Sequence, residues 1–334
     1  MHAIVSKEQL SPNVTRLVVE APRIAEIRRP GQFVIVRRGP GAERIPLTIA
    51  DTDPVAGTIT LVVQAIGKST SDLVELEPGE AIQDIAGPLG QPTELIERGH
   101  AVCVGGGVGT AVVYPIAQEL RRRGVSVTSI IGGRSREWVI LEDQLREAGE
   151  VVTCTDDGSY GRHGFVTEAL KDALEAGGVD AVYAVGPVPM MRAVSELTRP
   201  YGVPTTVSLN AIMVDGTGMC GGCRVSIGGE TKYACVDGPE FDGHKVDFRM
   251  LADRLTTYRA FEQEALERRE ACRIGLRQPA RAVAPASAAA PSSPGRADGE
   301  TSGETSDAKP PSPAPAPVPA PATAPAPATT ESAR

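Results

Sequence analysis

The sequence has no apolar run long enough to cross a membrane. Its opening residues, MHAIVSKEQLSPNVTRLVVE, alternate apolar and polar side chains and lack the apolar centre of a secretory leader. A cytoplasmic protein without a membrane span is therefore expected. Basic charge is also scarce: 34 Lys and Arg stand against 42 Asp and Glu, a net charge of −8. The densest basic run, residues 121–123, falls late in an expected helix, where it complements the helix dipole. The clustered cations that a nucleic acid partner needs are missing. Disulfides are not expected in the cytoplasm, so the six cysteines are read as ligands or buried thiols. No aromatic follows Phe261, and from about residue 280 the chain is mostly Ala, Pro, Ser and Thr. Such a composition cannot bury enough apolar surface to offset its ordering entropy. Residues 281–334 are expected to be a disordered tail with no catalytic role.

The remaining chain is long enough for two or three domains. Residues 1–96 carry short β-branched runs (NVTRLVVEAP, GQFVIVRR, GTITLVVQAIG, EAIQDIAGPLG) separated by turn signals such as RPGQ and DTDPVAG. No long amphipathic helix interrupts them, and an antiparallel β-barrel fits best. Residues 97–210 alternate buried strands with helices, which predicts an α/β domain with a parallel, Rossmann-like sheet. Residues 211–250 hold the cysteine segment, and 251–280 read as a terminal helix.

Three glycine loops fall at the carboxyl ends of expected strands. In VCVGGGVGTA, Gly106, Gly107, Gly109 and Thr110 match the dinucleotide fingerprint only loosely, but they stand between a strand and a helix. Gly186 and Pro187 form a second such turn. TDDGSYGRHG, with Asp156 and Asp157, forms a third. Each loop alone reads as an ordinary turn; three at one sheet edge predict a nucleotide site. The second strand ends without the acidic residue of the NAD fingerprint, and Arg134 follows. NAD(H) and NADP(H) both remain open. In the barrel region, ERIPLTIAD places Arg44 before Pro46, Leu47 and Thr48, and AIGKSTSDL places Gly67, Lys68, Ser69 and Thr70 in one turn just after Gln64. The turn is not a P-loop, because the earlier glycine is absent. Its hydroxyls and lysine suit an anion, although for that segment alone a capped surface helix is the slightly better reading.

Together, R-x-P-L-T, G-K-S-T, GGGVGTA, VGPVPMM and a C-terminal cysteine segment resemble the ferredoxin–NADP reductase superfamily over about residues 1–250. The branch indicated contains the electron-transfer subunit of dihydroorotate dehydrogenase and the small subunit of NADH-dependent reduced ferredoxin:NADP oxidoreductase. The resemblance implies FAD at the barrel edge, with its pyrophosphate on Arg44 and the Gly67–Thr70 turn. Pro46, Leu47 and Thr48 would lie along the isoalloxazine, with Thr48 near its reactive nitrogen. Gln64 is included in the same site, and no residue is assigned as catalytic, since the chemistry is the cofactors' own. The nicotinamide nucleotide would enter along Gly106 to Thr110 and Gly186–Pro187, with Arg134, Asp156 and Asp157 nearby. Relatives often carry Cys before that glycine; Val185 stands here, which argues against a thiol assisting hydride transfer.

The cysteine segment, VDGTGMCGGCRV and onward, gives Asp215-x4-Cys220-x2-Cys223-x11-Cys235. Plant-type [2Fe–2S] sites read C-x4-C-x2-C with a distant fourth Cys, so the spacing fits with Asp in first place. Cys272 and His244 are alternative fourth ligands, whereas Cys103 and Cys154 read as core thiols. Zinc is the rival metal, but zinc carries no electrons and a flavin domain has electrons to pass on. The resemblance gives Cys in first place to the dihydroorotate dehydrogenase branch and Asp to the oxidoreductase branch. It therefore implies an NAD(P)H-dependent enzyme subunit that exchanges electrons through FAD and a [2Fe–2S] cluster. Its complex would be a ferredoxin:NAD(P) oxidoreductase, electron bifurcation included, with a larger flavoprotein bearing [4Fe–4S] clusters as partner and ferredoxin as a further one. Two alternatives stand beside it: a dihydroorotate dehydrogenase subunit, and a non-catalytic zinc module of regulatory kind.

Overall fold

The computed structural model describes residues 1–273. The expected tail, 281–334, and the last part of the expected terminal helix, 274–280, lie outside the described residues. The chain opens with β1 (His2–Ser11), β2 (Val14–Glu20), α1 (Pro22–Ile27), β3 (Phe33–Arg37), β4 (Ile45–Asp53), β5 (Thr58–Gln64), α2 (Lys68–Val74), β6 (Ala81–Ile82) and β7 (Asp84–Leu89). These strands form one nearly closed antiparallel sheet in the order β6-β1-β2-β5-β4-β3-β7. Alternate residues point inward, and Ile4, Leu17, Val19, Ile49, Ile59 and Leu61 fill the interior at 2 % exposure or less. Each such side chain contributes roughly 1.5–3 kcal/mol through burial.

A second sheet follows, built from β8 (His100–Gly106), α3 (Thr110–Arg122), β9 (Ser126–Gly133), α4 (Glu142–Ala148), β10 (Glu150–Thr155), β11 (Arg162–His163), α5 (Val166–Ala176), β12 (Ala181–Val185), α6 (Val188–Thr198) and β13 (Thr205–Ser208). The cysteine segment then contributes a hairpin, β14 (Arg224–Ile227) and β15 (Glu230–Tyr233), and a further strand, β16 (Glu240–Asp242). The sheet order is β11-β10-β9-β8-β12-β13-β16. All its neighbours are parallel except β13 and β16. Strand order reverses between β8 and β12, which opens a crevice at their carboxyl ends, the place where open α/β sheets bind ligands.

The single helix expected over 251–280 is interrupted within the described residues. α7 (Phe248–Leu255) and α8 (Arg259–Arg273) are separated at Thr256–Tyr258. The Thr256 and Thr257 hydroxyls donate to the Asp253 and Arg254 carbonyls, each at 2.7 Å. Side-chain bonds of this kind compete with the helical ladder. No helix among the described residues is long and apolar enough to cross a membrane.

The connector after β7 stitches the two sheets together. Gln91 N–H donates to the Gly238 carbonyl at 2.6 Å, and its side chain donates to the Val236 carbonyl at 2.9 Å. Beside this seam, Glu240 on β16 accepts from the Thr93 hydroxyl at 3.1 Å, while its Oε2 is shielded from solvent and has no partner. Burial pushes the Glu240 carboxyl up to about 7. The neutral acid fits the site and the carboxylate does not. Stability should therefore be full below the ordinary glutamate range and fall as pH rises through about 7, by on the order of 3 kcal/mol. Denaturant titrations should show Glu240→Gln close to the parent at pH 5 and more stable than it at pH 8; parallel pH profiles for the two proteins would refute this.

Candidate cofactor and metal site

At the crevice, the turn after β8 is a single 3-10 turn over Gly107–Gly109. Gly109 packs so closely on the end of β12 that a Cβ would stand 2.2 Å from the Val185 carbonyl oxygen. Gly106 and Gly186 face one another, and the Met190 thioether from the first turn of α6 occupies the space above both. A Cβ would meet the Met190 sulfur at 2.5 Å from Gly106 and 2.8 Å from Gly186. Met190 was not singled out by the motif, and only the VGPVPMM run hinted at it. Thr110 is buried and packs beneath Gly105. Pro187 caps α6.

The loops after β9 and β10 interlock. Asp156 and Asp157 N–H donate to the Gly133 and Arg134 carbonyls at 3.1 and 3.2 Å. Asp157 accepts from the Ser159 hydroxyl at 2.6 Å and its N–H at 2.9 Å, and these bonds hold its carboxyl below the usual range. The Arg136 guanidinium lies 5.2 Å from the centre of the Tyr160 ring. Arg134 and Asp156 are thus brought to the same sheet end as the glycine turns, with Tyr160 as an addition that spacing did not reveal.

On the barrel, Pro46, Leu47 and Thr48 lie half-buried on β4, opposite Ile35, Val34 and Phe33 of β3. Gln64 ends β5, beside Asn13. In the Gly67–Thr70 turn each polar group has a job. The Thr70 hydroxyl accepts from Ile66 and Gly67 N–H, both at 3.1 Å, Ser69 donates to Glu43, and Lys68 pairs with Asp72 at 2.9 Å. Between α2 and the loop at 38–43 lies a cavity of about 350 Å³, lined in part by Arg38, Glu43, Lys68, Ser69 and Asp72. Arg44 reaches away from it: its Nε donates to the Val214 carbonyl at 3.2 Å and its Nη2 to the Asp215 carbonyl at 3.4 Å.

The cysteine loop therefore rests on the barrel. Gly216, at φ 79°, allows the same contact, since a Cβ there would stand 2.7 Å from Ile35 and 2.9 Å from Leu89. Within the loop, Asp215 Oδ1 accepts from Thr217 N–H at 2.6 Å and from its hydroxyl at 3.2 Å, and Oδ2 accepts from Cys220 N–H at 2.9 Å. The Thr217 N–H is the main reason this carboxyl stays below its ordinary range. Cys223 and Cys235 are buried with sulfurs 3.1 Å apart, and Cys220 is exposed. Burial, then the Cys223 sulfur, pushes the Cys235 thiol up to about 12. Gly222 N–H donates to Cys220 sulfur and Cys235 N–H to Cys223 sulfur, both at 3.4 Å.

Three thiols in one segment, N–H groups donating to two of the sulfurs and a carboxylate held by the same loop are donor types that an iron–sulfur cluster takes. His244 is engaged elsewhere, 2.9 Å from the Thr198 hydroxyl, and Cys272 lies on α8. Cys103 and Cys154 are buried in β8 and β10.

Residues 210–247 match the family model of the iron–sulfur cluster binding domain of dihydroorotate dehydrogenase B. The chain is 44 % identical over 268 residues to a dihydroorotate dehydrogenase B (NAD(+)) electron transfer subunit homolog of Thermotoga maritima, covering 80 % of this chain and 95 % of that protein. It is 36 % identical over 253 residues to the dihydroorotate dehydrogenase B (NAD(+)) electron transfer subunit of Bacillus caldolyticus, covering 73 % and 96 %. A solved structure of NADH-dependent reduced ferredoxin–NADP oxidoreductase, described for flavin-based electron bifurcation, contains a chain that superposes with a TM-score of 0.78. That chain is 42 % identical, and the match covers 81 % of this chain and 98 % of it.

Asp215→Ala should lose the cluster, seen as a fall in iron per chain and bleaching of the visible bands. Asp215→Cys should keep a [2Fe–2S] cluster with a shifted potential and EPR signal. An Asp215→Ala protein with parental iron content and EPR spectrum would remove Asp215 from the ligand set.

Proposed function

The chain belongs to the family of dihydroorotate dehydrogenase B electron-transfer subunits, and on that premise we propose that it passes electrons between NAD(P)H and a larger flavoprotein partner in a ferredoxin:NAD(P) oxidoreductase complex of the electron-bifurcating kind. It is an oxidoreductase electron-transfer subunit with a ferredoxin–NADP reductase-like fold. Its cofactors are FAD, a [2Fe–2S] cluster and a nicotinamide nucleotide. The observation that carries the proposal is the seating of the cysteine loop on the flavin-type barrel, through Arg44 and through Gly216 against Ile35 and Leu89. Bound flavin supplies the conversion of a two-electron hydride into single electrons for the cluster. The chain's own part is placement. Lys68, Ser69 and the cavity edge receive a diphosphate. Thr48 and its neighbours on β4 flank the flavin ring, and the glycine pair with Arg134, Asp156 and Asp157 takes the nucleotide. The choice of an oxidoreductase complex over dihydroorotate oxidation rests on Asp215 in the first ligand place.

The rim of the cysteine loop supports a protein partner. Met219 is 88 % exposed and Val214 50 %, flanking the exposed Cys220. Exposed apolar side chains grouped around a functional loop mark an interaction surface. Purified chain should show flavin bands over broad iron–sulfur absorption and be bleached anaerobically by NADH or NADPH. Co-purification should yield a flavoprotein with [4Fe–4S] clusters, and Met219→Glu should lower its recovery at least tenfold. Recovery of a dihydroorotate-oxidising subunit would overturn the choice of complex; a colourless zinc protein would overturn the whole reading.

A further inference from the structure

Arg269 on α8 binds a carboxylate 197 positions earlier in the chain. Its Nε donates to Asp72 Oδ1 and its Nη2 to Glu75 Oε1, both at 2.6 Å, and its side chain is 11 % exposed. The other Asp72 oxygen, Oδ2, accepts from Lys68 Nζ at 2.9 Å. Asp72 thus stands between two cations, one from α2 itself and one from the far end of the described chain. Burial alone would raise the Asp72 carboxyl, but the bonds from Lys68 and Arg269 outweigh it and hold the group below its ordinary range. Lys68 and Asp72 both line the cavity beside α2.

We propose that Arg269 is a positioning residue for the phosphate-bearing part of the cofactor: by taking Asp72 Oδ1 and Glu75, it shares the Asp72 charge and leaves the Lys68 ammonium free to face a diphosphate in the cavity. The inference rests on the reading that Lys68 receives the FAD diphosphate. An ammonium has three donors, and Asp72 uses one. With Arg269 on Asp72 Oδ1, the Asp72 charge is shared between two cations. Without Arg269, Asp72 would hold Lys68 alone and offset the charge that it offers an incoming anion. The Arg269 fork spans two carboxylates, which a lysine cannot do.

The test is the FAD dissociation constant of the full-length, deflavinated chain, read from quenching of flavin fluorescence at low and high salt. Circular dichroism and melting temperature serve as the folding check. Arg269→Gln should weaken FAD about tenfold, the weight of one hydrogen bond between charged groups, and more so at low salt. Arg269→Lys should recover only part of the loss, since it restores the charge but not the fork. Adding Asp72→Asn to Arg269→Gln should restore near-parental affinity, because Lys68 is then no longer held by a carboxylate at position 72. A rescue of that kind distinguishes charge sharing from mere support of α8, which Asp72→Asn cannot repair. Unchanged affinity in Arg269→Gln, or a double variant as weak as the single, overturns the inference. Lys68→Gln separates the two layers. If Lys68→Gln binds FAD like the parent, the diphosphate reading falls and the inference with it. If Lys68→Gln weakens FAD while Arg269→Gln does not, the inference alone falls.

Discussion

The contact between the cysteine loop and the barrel is the constraint on which the rest of the structure depends. Gly216 has no side chain and takes a positive φ, so the loop can lie directly on Ile35 and Leu89. Arg44, immediately before β4, donates to two carbonyls of the same loop. A two-electron carrier and a one-electron carrier are useful together only if they sit side by side. On the function proposed above, Gly216 and the Arg44 guanidinium serve that requirement by holding the loop against the barrel.

The cysteine segment also takes part in the α/β domain. The strand that closes its sheet, β16, comes from the segment that carries the cysteines, so the sheet edge and the cysteine loop are parts of one continuous stretch. Glu240 lies in this strand against Thr93, and its buried, unpartnered oxygen places a polar strain at the junction of barrel, sheet and loop. The two-domain description is therefore true of topology but less so of packing. One apolar cluster includes Phe33 and Ile35 of the barrel, Val182 and Val207 of the sheet, and Cys223 and Cys235 of the loop.

Much of this was legible in the sequence because it is local. β-branched runs broken by Pro and Gly turns give the barrel its strands, and strand–glycine–helix alternation gives the parallel sheet. The cysteine segment that matches the iron–sulfur domain model is likewise a short-range pattern. The missed features are long-range. Met190 fills the space above Gly106 and Gly186, so those glycines answer to a packing partner as well as to any nucleotide. Tyr160 under Arg136, Glu240 beneath Thr93, and Arg269 on Asp72 join residues whose separation no periodicity reports. The break between α7 and α8 was hidden for a different reason: Thr256 and Thr257 are tolerated in helices, and only their bonds to the preceding turn show that they end one.

Asp215 shows how a residue can organise a site and remain able to serve it. A carboxylate offers about four lone-pair positions. Oδ1 uses two on Thr217, and Oδ2 uses one on Cys220 N–H, which leaves one position on Oδ2. The acid can thus hold the loop that presents Cys220 and still offer an oxygen to iron without giving up a bond. A cysteine in the same place has a single sulfur acceptor, whose longer hydrogen bonds cannot reproduce both anchors. As the proposed oxygen ligand, Asp215 would therefore bring its own orientation: bonds from the Thr217 and Cys220 N–H groups hold its carboxylate in place and below its ordinary range.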